Sequence, residues 1–513
     1  MADLSFIFGQ NKYLQLDALQ SRAADMNAEN IGISSMQLME NASNASAKSI
    51  LKIAKGRENI LIICGKGNNG GDGLGIARHL KCLNLGLKIA VCMMYGINEI
   101  KTKEALSNLR AIKNMQDIKI SWYDPDVLSD MIKESDLIVD CMLGTGSSGR
   151  PKSPISQAIS EINASKKLVV SIDVPSGLDT STGIDKYSIK ADYTLTFHRN
   201  KSFLNGSKFA GEIEVLNIGI PIAAHVVAGP GDIYIASRHR EIESNKSTNG
   251  RVLVIGGSHI FHGAPALSYS ASYAMLAALR VGSGYVSAYV PKSAQQANRS
   301  VSTNVIVRSF IENELSGADM PEIKESINHS DAVVLGPGLG GSFNSIDAAK
   351  EIVRYCIVKN KNIVVDADAI GSIDGKLAMN VLITPNISEF KKLLNSKLEL
   401  NGNILLASKS AMRFAKSHNV NVLLKAHISI LTDGDRIKII SPKSASLASM
   451  GTGDVLAGII AAYAAIGNAP FEAAAAGAYV HSRIGDLLYE IKGNHLVASD
   501  IINMIPEVTK PFD

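Results

Sequence analysis

Three stretches in the first half of the chain place carboxylates, amides and glycines where apolar runs end. One is Gly65-Lys66-Gly67-Asn68-Asn69-Gly70-Gly71-Asp72-Gly73. A second runs from Asp140 into Gly144-Thr145-Gly146-Ser147-Ser148-Gly149-Arg150, and a third is Asp173-Val174-Pro175-Ser176-Gly177-Leu178-Asp179. Glycines let a backbone approach a ligand closely, and carboxylates can move protons. The first stretch satisfies GxGxxG, which alone suggests a hydride-transfer dinucleotide site. Two features oppose that reading. Met93-Met94-Tyr95 stand where a ribose-binding acid belongs, and Asp72 brings negative charge to a helix start where a pyrophosphate would sit. Each carboxylate alone reads equally well as a turn or helix cap; the three together argue for a site.

The second half carries Ser449-Met450-Gly451-Thr452-Gly453-Asp454 directly before an apolar helical run. Glycines at a helix start expose backbone N–H groups to an anion, and an acid at the lip can take a proton from a hydroxyl attacking phosphorus. By itself Asp454 is equally a helix cap. No GxxxxGK[ST] occurs, so a Walker-type loop is excluded. Further strand ends lead into Gly256-Gly257-Ser258, Gly336-Pro337-Gly338-Leu339-Gly340, Asp366-Ala367-Asp368, Thr384-Pro385-Asn386 and Lys425-Ala426. His259 and His262 form an HxxH pair in a Gly-rich loop with no third ligand nearby, a poor metal site.

These loops need a scaffold. Strands are predicted at 59–64, 87–93, 137–141, 167–173 and 193–197, with helices over 11–55 and 74–83. After a Gly/Pro and polar stretch at 221–249, read as a linker, strands resume at 251–255, 285–290, 332–335, 362–366, 381–384 and 420–425. Apolar strands alternating with helices predict an α/β protein with parallel sheets. At 513 residues, 46% of them hydrophobic, two domains are expected, divided as 1–235 and 236–513. A net charge of +4 with scattered Lys and Arg argues against nucleic acid or a membrane surface. Five widely spaced cysteines and no cationic-apolar leader predict a reducing cytoplasm, and no apolar run approaches the ~20 residues of a membrane span.

The motifs GKGNNGGDG, VDCMLGTG and IDVPSGLD, with Leu38-Met39-Glu40-Asn41-Ala42, resemble the epimerase domain of the NAD(P)H-hydrate repair enzymes over about residues 10–220. The order of the later loops resembles the ADP- or ATP-dependent NAD(P)H-hydrate dehydratases over about 246–511. The resemblance implies a Rossmann-like three-layer N-terminal sandwich and a ribokinase-like C-terminal α/β domain. It implies epimerisation of R- and S-NADHX and NADPHX and dehydration of the S form, with ADP or ATP as co-substrate. In the first domain it implies hydrate contacts from Asn68, Asn69, Gly70, Gly71, Asp72, Gly144, Thr145, Gly146, Ser147, Ser148, Gly149, Arg150 and Asp173. It also implies K+ on oxygens of Asn69, Asp140 and Ser176, and makes Asp173 the acid/base for C6 inversion. In the second it implies hydrate contacts from Ala264, Gly338, Asn386 and the catalytic Asp454. Nucleotide contacts then fall to Lys425, Ala426, His427, Ile428, Ser429 and Gly453, with Mg2+ on the phosphates. A homo-oligomer is expected from the same resemblance. Two departures stand out: TPNISE replaces the TPHPGE of many members, and Lys425-Ala426 replaces Lys-Gly.

Two other readings use the same residues. A ribokinase-like small-molecule kinase fused to an α/β binding domain needs the same GTGD parts, but gives no reason for NNGGDG together with IDVPSG. A non-catalytic first domain has no need to combine Asn69, Asp72, Asp140 and Asp173.

Overall fold

The computed structural model describes residues 15–147, 149–181, 183–184, 186–258, 270–396, 399–400 and 402–513. The chain forms two compact units that part between Pro221 and Ile222, ahead of the sequence-derived boundary at 235. The intervening stretch belongs to the second unit for identifiable reasons. Residues Pro230–Ala236 form a helix with Pro230 in its first turn, Asp232 pairs with Lys438 at 2.6 Å, and Val227 bridges Ile439.

In the first unit, β1 (Gln15–Leu16) precedes α1 (Ala18–Asn30) and α2 (Ser35–Ala54). The single helical region expected at 11–55 is thus two helices, each opened by a capping box (Asp17/Gln20 and Ser34/Gln37) and separated at Gly32 with φ +102°. Residues 11–14 lie outside the described residues. There follow β2 (Asn59–Cys64), α3 (Asn68–Leu83), β3 (Lys88–Met93), α4 (Lys103–Met115), β4 (Lys119–Trp122) and α5 (Pro125–Glu134). The unit continues through β5 (Leu137–Cys141), α6 (Ile155–Ser165), β6 (Leu168–Ile172), β7 (Tyr193–Phe197), β8 (Asn200–Lys201) and β9 (Glu212–Leu216). The main sheet has the order β4-β3-β2-β5-β6-β7-β9, parallel throughout, while β1 and β8 form a small parallel pair.

Both faces of this sheet are covered, as its continuous apolar strands require. Leu61, Ile63, Cys92 and Ile138 pack under α5 and α6; α3 lies on the other face, flanked by α2 and α4. Helix α3 starts at Asn68, earlier than the 74 expected. Its glycines are there for close approach, since a Cβ on Gly70 would lie 2.1 Å from the Gly65 carbonyl and one on Gly75 would lie 2.2 Å from Ser43 Oγ.

The second unit holds β10 (Arg251–Ile255), α7 (Ser270–Val281), β11 (Tyr285–Val290), β12 (Ile306–Ser309), β13 (Ala332–Leu335), β14 (Asn362–Val365) and β15 (Val381–Ile383). Then come α8 (Ile387–Leu393), β16 (Asn421–Leu424), β17 (Ser429–Thr432), β18 (Ile437–Ile440), α9 (Thr452–Ala465) and α10 (Pro470–Lys492). The sheet order is β12-β11-β10-β13-β14-β15-β16-β17-β18, parallel as far as β16, with β17 and β18 antiparallel at its edge. Val252, Val254 and Val334 face one core with α7 and α9; Leu253, Ile255 and Leu335 face the other. This alternation makes a three-layer sandwich.

Candidate functional site

Strand order reverses between β2 and β5 in the first sheet and between β10 and β13 in the second. Ligands of open α/β sheets bind at such switch points, beyond the carboxyl ends of the strands. The loops singled out from the sequence emerge at those ends.

In the first unit, Asp140 is the next-to-last residue of β5 and is completely buried. Its carboxylate accepts from Ser176 Oγ (2.6 Å), Ser176 N (2.9 Å), Ser171 Oγ (2.9 Å) and Met142 N (3.2 Å). Burial still pushes its pKa above the ordinary aspartate value, with those donors opposing. Asp140 therefore ties the β5 loop to the β6 loop. Leu143 N donates to Ser176 Oγ at 2.8 Å, and Asn69 Nδ2 donates to Leu143 O at 2.8 Å. Asn69 Oδ1 is buried, and no donor among the described residues reaches it. Asn69, Asp140, Ser176 and the Leu143 carbonyl thus form one oxygen-rich cluster with an unsatisfied acceptor.

Asp173 follows β6 with φ +65°, a left-handed conformation that Asp tolerates better than most residues. A Cβ on Gly144 would lie 3.2 Å from Asn69 Cβ and 3.7 Å from Asp173 Oδ2, so Gly144 keeps the space between them open. Asp72 is buried in α3, just past its first turn, and its pKa is raised well above normal by burial, then by Asp173 and Asp25. Asp25 on α1 is pushed up to about 6, by burial and then by Asp173. Asn68, Gly146, Gly149 and Arg150 are exposed along the rim, and Arg150 stacks on the Tyr187 ring at 4.3 Å. Ser147 Oγ donates to Gly144 O at 2.8 Å, closing the Gly144–Ser147 turn that carries Thr145. Ser148 lies outside the described residues.

In the second unit, Gly451 (φ +86°) caps α9 and turns Thr452, Gly453 and Asp454 into its first turn. Burial, then Asp366, raises the Asp454 pKa to about 7, with the Ser270 hydrogen bond and Lys425 pulling it down. Lys425, at the end of β16, pairs directly with Asp366 at the end of β14, whose carboxylate also accepts from Thr384 Oγ1 at 2.7 Å. Burial disfavours the Lys425 ammonium, but Asp366, Glu389 and Asp454 outweigh it and hold its pKa above the usual lysine value. A Cβ on Gly453 would lie 3.5 Å from Lys425 Nζ, so the helix start abuts this ion pair.

Asn386 caps α8: its side chain accepts from Glu389 N at 2.9 Å, and Glu389 returns the bond to Asn386 N at 2.8 Å. Gly338 (φ +65°) sits buried in the loop after β13, and Asp368 accepts from Gly340 N at 2.9 Å. Ala426, His427 and Ile428 form the turn into β17, closed by Ala426 N donating to Ser429 Oγ at 3.3 Å. Ala264 and the His259/His262 pair lie outside the described residues.

Motif reading missed several groups gathered here. Asp25, Lys201 and His481 belong to no Gly-rich loop, and only burial marks them. His481 on α10 is buried with its pKa lowered to about 4, and no partner among the described residues reaches its Nε2. Asp366 and Thr384 lay in quoted motifs, but their pairing with each other and with Lys425 is a property of the fold.

Fold and side-chain clusters together define a two-unit α/β protein, with carboxylates gathered at the strand ends of the first unit and a glycine-opened helix start beside an ion pair in the second. A family profile described as "YjeF-related protein N-terminus" matches residues 35–203, and one described as "NAD(P)H-hydrate dehydratase" matches 252–507. A bifunctional NAD(P)H-hydrate repair enzyme of Methanothermobacter thermautotrophicus is 36% identical over 95% of this chain and 94% of its own length. One from Hyperthermus butylicus is 35% identical over 98% and 93%. A ribokinase-like superfamily protein from Enterococcus faecalis, of solved structure, is 23% identical over 56% of this chain and 96% of its own, with TM-score 0.49. The chain belongs to the bifunctional NAD(P)H-hydrate repair enzymes, with an N-terminal epimerase and a C-terminal ADP- or ATP-dependent dehydratase.

Proposed function

We propose that the two clefts perform successive steps on one hydrated dinucleotide. Hydration puts a hydroxyl on C6, beside the ring nitrogen. In the first unit, the C6–O bond opens as the nitrogen lone pair forms N1=C6, and the hydroxyl leaves as water with a proton from Asp72, whose pKa burial raises. Water then adds to the opposite face and gives a proton to Asp173. Asn68–Asp72 and Gly144–Arg150 hold the dinucleotide, with glycine backbone amides facing its phosphates.

In the second unit, Asp454 takes the C6 hydroxyl proton as that oxygen attacks the terminal phosphorus of ADP or ATP. Phosphate then leaves C6 and a proton leaves C5, restoring the C5=C6 double bond. Gly453 and Lys425–Ser429 bind the nucleotide, and Gly338, Asn386 and Ala264 bind the S-hydrate. Asn386 keeps a side-chain amide donor for substrate because its cap uses only the oxygen. Magnesium would supply positive charge to offset that of the nucleotide phosphates, and Asp368 and Glu389, the carboxylates beside Asp366, would help hold it. The observation that carries the reading is Asp454, held near neutrality at the mouth of a helix start beside Lys425.

Potassium suits the first site, because a hard cation prefers oxygen ligands and Asn69 Oδ1 is a buried acceptor that no donor among the described residues reaches. Asn69, Asp140 and Ser176 would hold it, with Asp140 sharing oxygens already bonded to Ser176. The ion supplies fixed positive charge that steadies the loops around the hydrate. The expected setting is the cytoplasm, supported by free Cys64, Cys82, Cys92, Cys141 and Cys356, and the expected assembly is a homo-oligomer. The test is NADH recovery from an R/S hydrate mixture in potassium against sodium. Potassium should speed the slow R phase, and Asn69→Ala should remove the difference. Equal R phases in both salts would refute the ion assignment.

A further inference from the structure

Lys201 has no place in any motif, yet its side chain is only 3% exposed. A buried ammonium is costly unless its hydrogens are used, and a methionine would fill the same space without that cost. Its Nζ donates to Phe197 O at 2.7 Å and Arg199 O at 3.1 Å, and lies 3.6 Å from Asp173 Oδ1. Two neutral carbonyls therefore fix the ammonium, and the remaining direction faces Asp173.

The surrounding chain holds both partners. Lys201 lies on β8, in parallel register with Leu16 of β1, immediately before α1. The turn after it buries Leu204 against Val174 and Leu178, which lie in the loop that Asp173 opens. Asp173 N donates to Leu195 O at 2.8 Å, fixing the other side of the loop. Asp173 faces two further carboxyls, Asp72 on α3 and Asp25 on α1, and Asp25 also feels Lys201, Arg22 and Glu29. Of the three neighbouring carboxyls Asp72 is buried and Asp25 and Asp173 are half-buried, and only Asp173 touches the ammonium.

We propose that Lys201 is a positioning residue of the epimerase, whose fixed ammonium holds the Asp173 carboxylate aimed into the space kept open by Gly144. The proposal rests on Asp173 serving as the base. Lys201 touches only one of the three acids, which singles out Asp173 as the base and leaves Asp72, whose pKa burial raises, as the acid.

The test uses the full-length enzyme on an R/S hydrate mixture, resolving the fast S phase from the slow R phase between pH 5 and 9. Lys201→Met should lower the R-phase kcat about 10- to 100-fold at neutral pH with little change in KM. It should also move the acid limb of the R-phase profile to higher pH, so that alkali restores part of the loss. Lys201→Arg, which keeps the charge, should leave the limb near its wild-type position, and the S phase should be unchanged in both. A uniform loss across pH in Lys201→Met, with the limb unmoved in both variants, would reduce Lys201 to a packing residue and overturn the proposal. So would a wild-type R phase in Lys201→Met. Asp173→Asn separates the two ideas: an intact R phase there overturns the role of Asp173 itself, whereas its loss beside an unshifted Lys201→Met limb overturns only the role of Lys201.

Discussion

Replacing Asp454 by Asn tests the dehydratase site in two independent ways. The amide keeps the side chain's shape and can still hydrogen-bond Ser270, but it cannot accept the hydroxyl proton. Loss of a general base costs about 10²- to 10⁴-fold, or ~3–5 kcal/mol of transition-state stabilisation. Wild-type dehydration should also fall as pH drops below about 7, the value to which burial and Asp366 raise this carboxyl. The same shift has a stability consequence of opposite sign. An aspartate whose folded pKa is about 7 against an ordinary 3.8 favours the fold fully only below pH 3.8, and that contribution is lost as pH rises to 7. About three pH units at ~1.4 kcal/mol each set an upper limit near 4 kcal/mol, reduced by residual solvent contact. Asp454→Asn should therefore match wild type in thermal stability near pH 4 and exceed it increasingly up to pH 7, with a constant margin above. Calorimetric scans at pH 4, 6 and 8, with S-hydrate turnover at pH 8, read both effects. Near-wild-type turnover removes Asp454 from the chemistry, and a pH-independent stability margin refutes the burial argument.

Asp140→Ala strands donors on Ser176, Ser171 and Met142 in a buried site, so the first unit should lose about 2–5 kcal/mol. The single tryptophan, Trp122, lies in that unit, and urea titration of its fluorescence measures the loss; an unchanged midpoint would contradict it. Gly451→Ala puts a Cβ 2.8 Å from the Tyr273 ring at φ +86°, displacing the amides at the start of α9. The kcat/KM for nucleotide should fall about 10- to 100-fold, and an unchanged value would show that the helix start does not bind phosphate.

The sequence makes the strand-end loops legible because buried parallel strands are continuous apolar runs and glycines mark close approach. Polar or short edge strands were less visible: β9 reads Glu-Ile-Glu-Val-Leu with most side chains exposed, and β4 and β12 are only four residues long. The helix starting at Asn68 hid behind glycines, which disfavour helices locally but here admit Gly65 and Ser43. The stretch at 221–249 looked like a linker because its composition is that of a turn, while the Asp232–Lys438 pair that binds it to the second unit spans sites far apart in sequence. Pairings of that kind (Lys201 with Asp173, Lys425 with Asp366) exist only once the sheet order is known.

The most direct test of the two-step account mixes two full-length variants. Asp173→Asn alone should convert S-hydrate to NADH at the normal rate and leave the R-hydrate to spontaneous epimerisation. Asp454→Asn alone should yield almost no NADH, because its intact epimerase feeds a dead dehydratase. Mixed together with ADP or ATP, the two should clear the whole R/S pool, the R phase growing faster with each addition of Asp454→Asn protein. A mixture whose R phase is no faster than that of Asp173→Asn alone would contradict the claim that the first unit supplies the second.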